Sequence, residues 1–438
     1  MISDITFHPE GILLRDESLF TGRADSASQP DSIEALCRIV AHCRDTGTPI
    51  TVRGSLTAMN GAGVPLGGHT MHMERLNRVE YDPATHTLWA QAGASFRDIE
   101  QAVRRGSNGL REFAAAPTEK TATLGGALSF STSGIRALGY GTVASQVLEL
   151  EYCDCTGTLH RVSRDSDTFS DLTGSEGMYA ILTGARLATT PVPQENWALI
   201  FFLDSEEMAM TFAGKIRNLS GITALEYMNS GCLSLLRTLG RENAAVARLP
   251  ELPECAAAVY AELEAPEENR MEEYAEALLM ELEELGGDPD LSWSAAAEEV
   301  ERFRDLHHAL QECINRKTAQ YHSRDAAVTR LTYPVCAGGC QSPLPDNRRK
   351  ALETAGLEAV IFGHWDKQLP LGIHIFAEDA AKYREALDIL ACWYREDLAQ
   401  HRAAPSHRGI GKVYRDIFVR ETKKRIYDPQ GLFNPGND

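Results

Sequence analysis

The chain has no excess of basic residues. Its 43 lysines and arginines stand against 62 aspartates and glutamates, a net charge of −19. Such a balance excludes a phosphate-tracking nucleic-acid surface and docking on anionic lipid. No stretch approaches about 18 consecutive apolar residues, so no membrane-spanning helix is expected. The first twenty residues, MISDITFHPEGILLRDESLF, lack a basic segment ahead of an apolar core, so no secretory signal is read there and a cytoplasmic location is expected. The ten cysteines lack metal-site spacing. Cys153/Cys155 and Cys336/Cys340 are close pairs without a partner pair, which reads as reduced thiols rather than a zinc ribbon or an iron–sulfur site. No internal repeat or low-complexity tract is present.

With 438 residues, the chain is too long for one small core. Residues 31–47 read as a helix, capped by Asp31 or Ser32 and stopped by Gly47. Short strands follow at 49–52 and 86–92, a helix at 95–105, and strands at 147–152 and 158–162. The proline-bearing 190–197 reads as a connector and a domain boundary. Beyond it, strands are expected at 253–262, 326–335, 357–363 and 371–377. Long helices are expected at 266–286 and 297–320, giving a sheet covered by helices on one side. A basic amphipathic helix opens the last stretch, 411–438.

Four motifs carry chemistry. PITVRGSLTAMNGAGVPLGG (49–68) is a strand running into a loop with glycines at 54, 61, 63, 67 and 68. Successive backbone N–H groups free of side chains form an anion-binding nest, and Ser55, Thr57 and Asn60 add donors. The loop lacks the Gly-Lys-Ser/Thr ending of a Walker loop, and no helix starts straight after it as a dinucleotide fingerprint requires. The other motifs are PTEKTATLGGALSFSTSG (117–134), GYG (139–141) and GSEGMYAILTGARL (174–187).

In this order and spacing the four motifs resemble the FAD domain of the vanillyl-alcohol oxidase / PCMH superfamily. The resemblance continues through Leu225-Glu226-Tyr227-Met228 and the terminal DPQGLFNPG (428–436). Over this length the chain is similar to the D-lactate dehydrogenase / glycolate oxidase / D-2-hydroxyglutarate dehydrogenase branch. The resemblance implies an α+β fold: a two-subdomain FAD-binding domain over 1–195, an α/β cap over 196–405, and a segment 406–438 that packs back on the FAD domain. It implies FAD contacts from Arg53, Gly54, Ser55, Leu56, Thr57, Asn60 and Gly61 in the first loop, and from Pro117, Thr118, Thr123, Gly125 and Gly126 in the second. Ser131, Gly134, Gly177, Ile181 and Asn434 complete the implied pocket. Leu56 stands where the family usually has glycine, and neither loop offers a histidine or cysteine for covalent attachment, so non-covalent FAD is expected.

The segment FGHWDKQLPLGIHI (362–375) departs from the branch pattern. There, two histidines and a glutamate hold a divalent metal that grips the substrate. The matching residues are His364, His374 and, in place of the glutamate, His407, while Arg408 replaces a histidine and cannot serve as a base. Three histidines suit zinc, manganese or iron; strand histidines satisfied by hydrogen bonds are the alternative. Arg324 and Arg330 frame an apolar strand and are the candidates for carboxylate binding, with His374 and His407 as candidate catalytic groups. The implied activity is oxidation of a small D-2-hydroxy acid. Electrons would leave to an iron–sulfur protein, an electron-transfer flavoprotein or a quinone, with a homodimer or peripheral association with an electron-transfer complex allowed. Oxidation of another alcohol without metal, or a non-catalytic FAD-binding subunit, are the competing readings.

Overall fold

In a computed structural model, residues 6–7, 14–243, 246–335, 342–365, 371–399 and 423–436 are described. The chain divides into two compact units. One comprises Met1–Ser133, Thr142–Val192 and Tyr394–Asp438; the other comprises Gly134–Gly141 and Pro193–Trp393.

Besides the short antiparallel pair of Arg111–Glu112 and Thr190–Pro191, the first unit holds two sheets. In the smaller, Ser26–Ser28, His69–His72 and Ile50–Arg53 lie side by side, and both of these pairings are parallel. The helix Ile33–Thr46 supplies the crossover that parallel pairing requires. Ser32 caps its start by accepting from the Ala35 amide, and Gly47 ends it in the left-handed region at φ 65°. Its apolar face, Leu36, Ile39, Val40 and Cys43, packs with Ile50, Met71, Leu432 and Phe433. The larger sheet is antiparallel, in the order Val79–Asp82, Thr87–Gln91, Ile181–Ala188, Val147–Cys153, Leu159–Ser163.

Two histidines, His69 buried and His72 half-buried, stand at the two ends of the strand His69–His72 in the small sheet. His69 lies between the Ser26 and Ser28 hydroxyls at 2.8 and 2.7 Å, and burial, then His42 and His72, depress its pKa to about 4. Burial, then the Arg53 charge, also depresses His72 to about 4. An unfolded histidine takes its proton near pH 6.5. The unfolded state therefore binds protons first as pH falls, and stability present above about pH 6.5 is lost down to about pH 4, at roughly 1.4 kcal/mol per pKa unit. A denaturation midpoint followed from neutral to acid pH should fall across this window. His69→Gln should flatten the fall, and an unaltered slope would mean that the loss arises elsewhere.

The second unit is one antiparallel sheet of seven strands, in the order Ser292–Ala296, Glu195–Leu203, Ala257–Ala265, Ile222–Asn229, Glu358–His364, Leu371–Phe376, Leu331–Val335. Helices cover both faces, where one covered face was expected. Ile200 and Phe202 pack with the helices Ser230–Leu239 and Val300–Arg324, while Phe201 meets Phe212 of the helix Glu206–Ile216 edge-on at 4.9 Å. Alternate side chains of a strand point to opposite faces, so a strand apolar at every position must be covered twice. Residues 198–203 are all buried. The helix expected to open the 411–438 stretch lies mostly outside the described residues; within them, Lys424–Tyr427 is helical. Among the described residues, no helix is long and apolar enough to cross a membrane.

Candidate functional site

The strand Ile50–Arg53 delivers the first glycine loop. Arg53 turns inward: its Nε donates to the Gly63 carbonyl at 3.0 Å and Nη2 to the Arg15 carbonyl at 3.2 Å. Only 1% of it is exposed, so it ties the two ends of the loop from within. Burial lowers its pKa to about 10, which leaves it a cation at neutral pH. Leu56, at the position where the resemblance implies glycine, adopts φ 65°, and Gly61 adopts φ 77°. The strain of a left-handed leucine is about 1–2 kcal/mol, and the loop keeps its bend despite it. Asn60 accepts from the Ala62 amide at 3.3 Å.

The second loop meets the first directly. A Cβ on Gly54 would overlap Thr123 Oγ1, and one on Gly125 would come within 2.8 Å of the Ala92 methyl. Thr123 caps the short helix Leu124–Phe130, whose far end is Ser131 at φ 50°. Pro117 is buried beside Thr118, and the Thr118 Oγ1 is buried without a hydrogen-bond partner. The third element is the turn Glu176–Gly177, with φ 52° and 69°, ahead of Ile181. Asn434 joins this turn to the first strand. Its Oδ1 accepts from the Val52 amide at 3.0 Å and its Nδ2 donates to the Glu176 carbonyl at 2.8 Å. Gly134 lies in the segment Gly134–Gly141, which belongs to the second unit, where Arg136 pairs with Glu264 at 3.0 Å. Thr123 and Ala92 fill the space a Cβ of Gly54 or Gly125 would need, so these glycines let the two loops close on each other, and the buried Thr118 hydroxyl left unpaired there suits a polar group such as that of FAD.

The second unit carries a polar stripe across the sheet face that packs on Val300–Arg324. That helix presents His307, Gln311 and Asn315, spaced by four residues and so on one side. Opposite them stand Glu226 of Ile222–Asn229 and His364 of Glu358–His364, which are register partners. His307 Nδ1 is 2.8 Å from Glu226 Oε1, and His364 Nδ1 contacts the same oxygen. The two imidazoles stack at 4.8 Å and 25°. Burial alone would raise the Glu226 pKa; the two histidines outweigh it and hold the carboxyl well below its usual range.

His374 lies elsewhere. Its ring stacks on Phe362 at 4.8 Å, with Nδ1 3.1 Å from Thr332 Oγ1 and 3.3 Å from Arg330 Nη2. Burial and then the Arg330 charge push its pKa well below the ordinary value, so the ring is neutral. Arginine can only donate, so Nδ1 accepts and the ring proton sits on Nε2. Arg330, 1% exposed, also donates to Gln311 and Asn315. The structure thus joins Arg330 to His374; His374 stands opposite Val360 in the strand pairing, and the cluster of potential metal ligands among the described residues holds His364 but not His374. Arg324 is exposed at the helix end, over the Tyr321 ring. His407 lies outside the described residues.

Glu226, His307, Gln311 and Asn315 were not foreseen as site residues. The available signal was four-residue spacing of polar side chains along a helix whose apolar positions Leu306, Ala309, Leu310, Cys313 and Ile314 are buried around them.

Comparison with known proteins agrees with both units. A D-lactate dehydrogenase from Archaeoglobus fulgidus is 27% identical over 215 residues, covering 47% of this chain and 48% of that protein. The glycolate oxidase subunit GlcD of Bacillus subtilis is 29% identical over 195 residues, covering 42% and 41%. The chain spans about half the length of the curated relatives it matches. A solved 4-ethylphenol oxidase from Gulosibacter chungangensis shares the fold, with a TM-score of 0.73, 16% identity, and coverage of 99% of this chain and 94% of that one. Residues 24–163 match the FAD binding domain family, and residues 192–437, more than half the chain, match the C-terminal domain of FAD linked oxidases. With an FAD-binding domain match in its first half and this match across more than half its length, the chain belongs to the FAD-linked oxidases.

Proposed function

We propose that the chain oxidises a small D-2-hydroxy acid to a 2-oxo acid and passes the electrons to a protein or quinone acceptor. The observation that carries this reading is the buried polar stripe of the second unit, with a cation and neutral imidazole at one end and a Glu–His–His cluster at the other. Bound FAD supplies the two-electron acceptor.

The chain's own residues supply the rest. Gln311 and Asn315 orient the Arg330 guanidinium, a planar donor suited to a carboxylate. His374 offers an N–H at Nε2, so it acts as a hydrogen-bond donor. A group already protonated at its free nitrogen does not take the hydroxyl proton, which assigns the base to a residue other than His374. Dehydrogenase and oxidase names among the relatives support the reaction class.

The test is anaerobic titration of the purified yellow protein with a panel of hydroxy acids and alcohols, read at the visible flavin band. Bleaching by a D-2-hydroxy acid is expected, with Arg330→Met raising the concentration required. Bleaching by alcohols alone would replace the substrate class. An unreduced flavin with every compound would identify a non-catalytic subunit and sink the proposal.

A further inference from the structure

We infer that Glu226, His307 and His364 form a binding site for a divalent transition metal, a set sharing only His364 with the ligands expected from the sequence. The ligand atoms of the three residues lie within 4.8 Å of one another. An ion with bonds of about 2 Å spans such a cluster after small side-chain rotations. Two imidazoles and a carboxylate suit zinc, manganese, iron or cobalt rather than calcium or magnesium, which take oxygen ligands.

Two further observations point to an ion rather than to a self-contained ion pair. First, Glu226 Oε1 and His364 Nδ1 are both buried, face one another, and complete no hydrogen bond. A hydrogen-bonded pair would align; two donors to a shared centre need not. Second, the rings of His307 and His364 stack at 4.8 Å and 25° and turn both Nδ1 atoms toward the same Glu226 oxygen, so three ligand atoms converge on one point. A single ion at that point would bind the carboxylate and both imidazoles together. His364, at 17% side-chain exposure, is the most open of the three, against 8% and 3% for His307 and Glu226. A fourth coordination position therefore lies on the His364 side, where a hydroxyl or carboxylate oxygen of a small acid would bind. That last assignment rests on the proposed function; the metal site itself does not.

The experiment strips the full-length flavoprotein with a chelator, reloads it with cobalt(II), and reads metal content and the visible ligand-field bands. The wild-type chain should retain about one cobalt per chain with the bands of a low-coordinate site. Glu226→Gln and His364→Asn should lose both signals while keeping flavin and melting temperature near wild type, and affinity should fall by more than about tenfold. His307→Cys should keep the metal and add a thiolate charge-transfer band, which also guards against a variant that fails simply by misfolding. His374→Gln should retain the metal. Absence of stoichiometric metal in the wild-type chain overturns the inference, as does loss on His374→Gln with retention on Glu226→Gln. A metal-loaded chain whose flavin no hydroxy acid reduces would fail the proposed function and leave the metal site standing.

Discussion

Asn434→Ala should melt well below the wild-type chain and lose its FAD on gel filtration. The Asn434 side chain bridges the strand entering the first glycine loop and the Glu176–Gly177 turn, through the Val52 amide and the Glu176 carbonyl. Alanine leaves both groups without their partner in a site where Asn434 is 4% exposed. Each orphaned buried group costs about 1–3 kcal/mol, so the loss is about 2–6 kcal/mol. Asn434 also sits at φ 39°, a conformation that asparagine tolerates better than alanine. Asn434→Asp separates the terms, because it keeps an acceptor for Val52 but turns a carboxylate oxygen toward the Glu176 carbonyl. It should fare no better than alanine above pH 5 or so, where aspartate is ionised. A melting curve and flavin content unchanged in both variants would remove Asn434 from this role.

Arg304→Leu should destabilise the second unit by about 3–5 kcal/mol, the range for stranding one member of a buried ion pair. Arg304 donates to Glu262 through Nε at 2.8 Å and Nη2 at 2.6 Å, a two-pronged contact. Glu262 is fully buried and also accepts from the Tyr260 hydroxyl, itself buried and held well above its ordinary pKa by burial and by Glu262. Without the guanidinium, the Glu262 carboxylate would face an apolar sheet interior and a phenol alone. The double variant Arg304→Leu/Glu262→Leu should recover most of the loss, since an apolar pair of similar size replaces a buried ion pair at little cost. Denaturant midpoints of the three proteins decide it; a single variant as stable as wild type would show that Glu262 finds another partner.

Much of the first unit was readable because its signals are local. Ser32 and Gly47 mark the two ends of one helix, Ser95 caps the next, and the strands at Val147–Cys153 and Leu159–Ser163 carry their own patterns. The second unit hid more. Glu195–Leu203 begins inside what read as a proline connector, because Pro191 and Pro193 dominate that stretch. Ser292–Ala296 is an edge strand too short and too poor in apolar residues to stand out. The polar stripe was least legible: His307, Gln311 and Asn315 look like a solvated helix face until the sheet opposite is known. Glu226 shows why pairing matters, since only the register with His364 turns an acid on an apolar strand into part of a cluster.

The bridge between Phe433 and Ile50 has a consequence for biosynthesis. The strand Ile50–Arg53 leaves the ribosome early, but Leu432, Phe433 and Asn434, which pack against it, emerge after the whole of Pro193–Trp393. At roughly 5–20 residues per second the roughly 380 residues between them take about 20–75 s. During it the first unit lacks part of its own core and the brace on its cofactor loop, so FAD loading is expected to wait for the segment Leu432 to Asn434. A message truncated before codon 432 would yield a chain whose second unit is fully encoded yet whose redox half can never close.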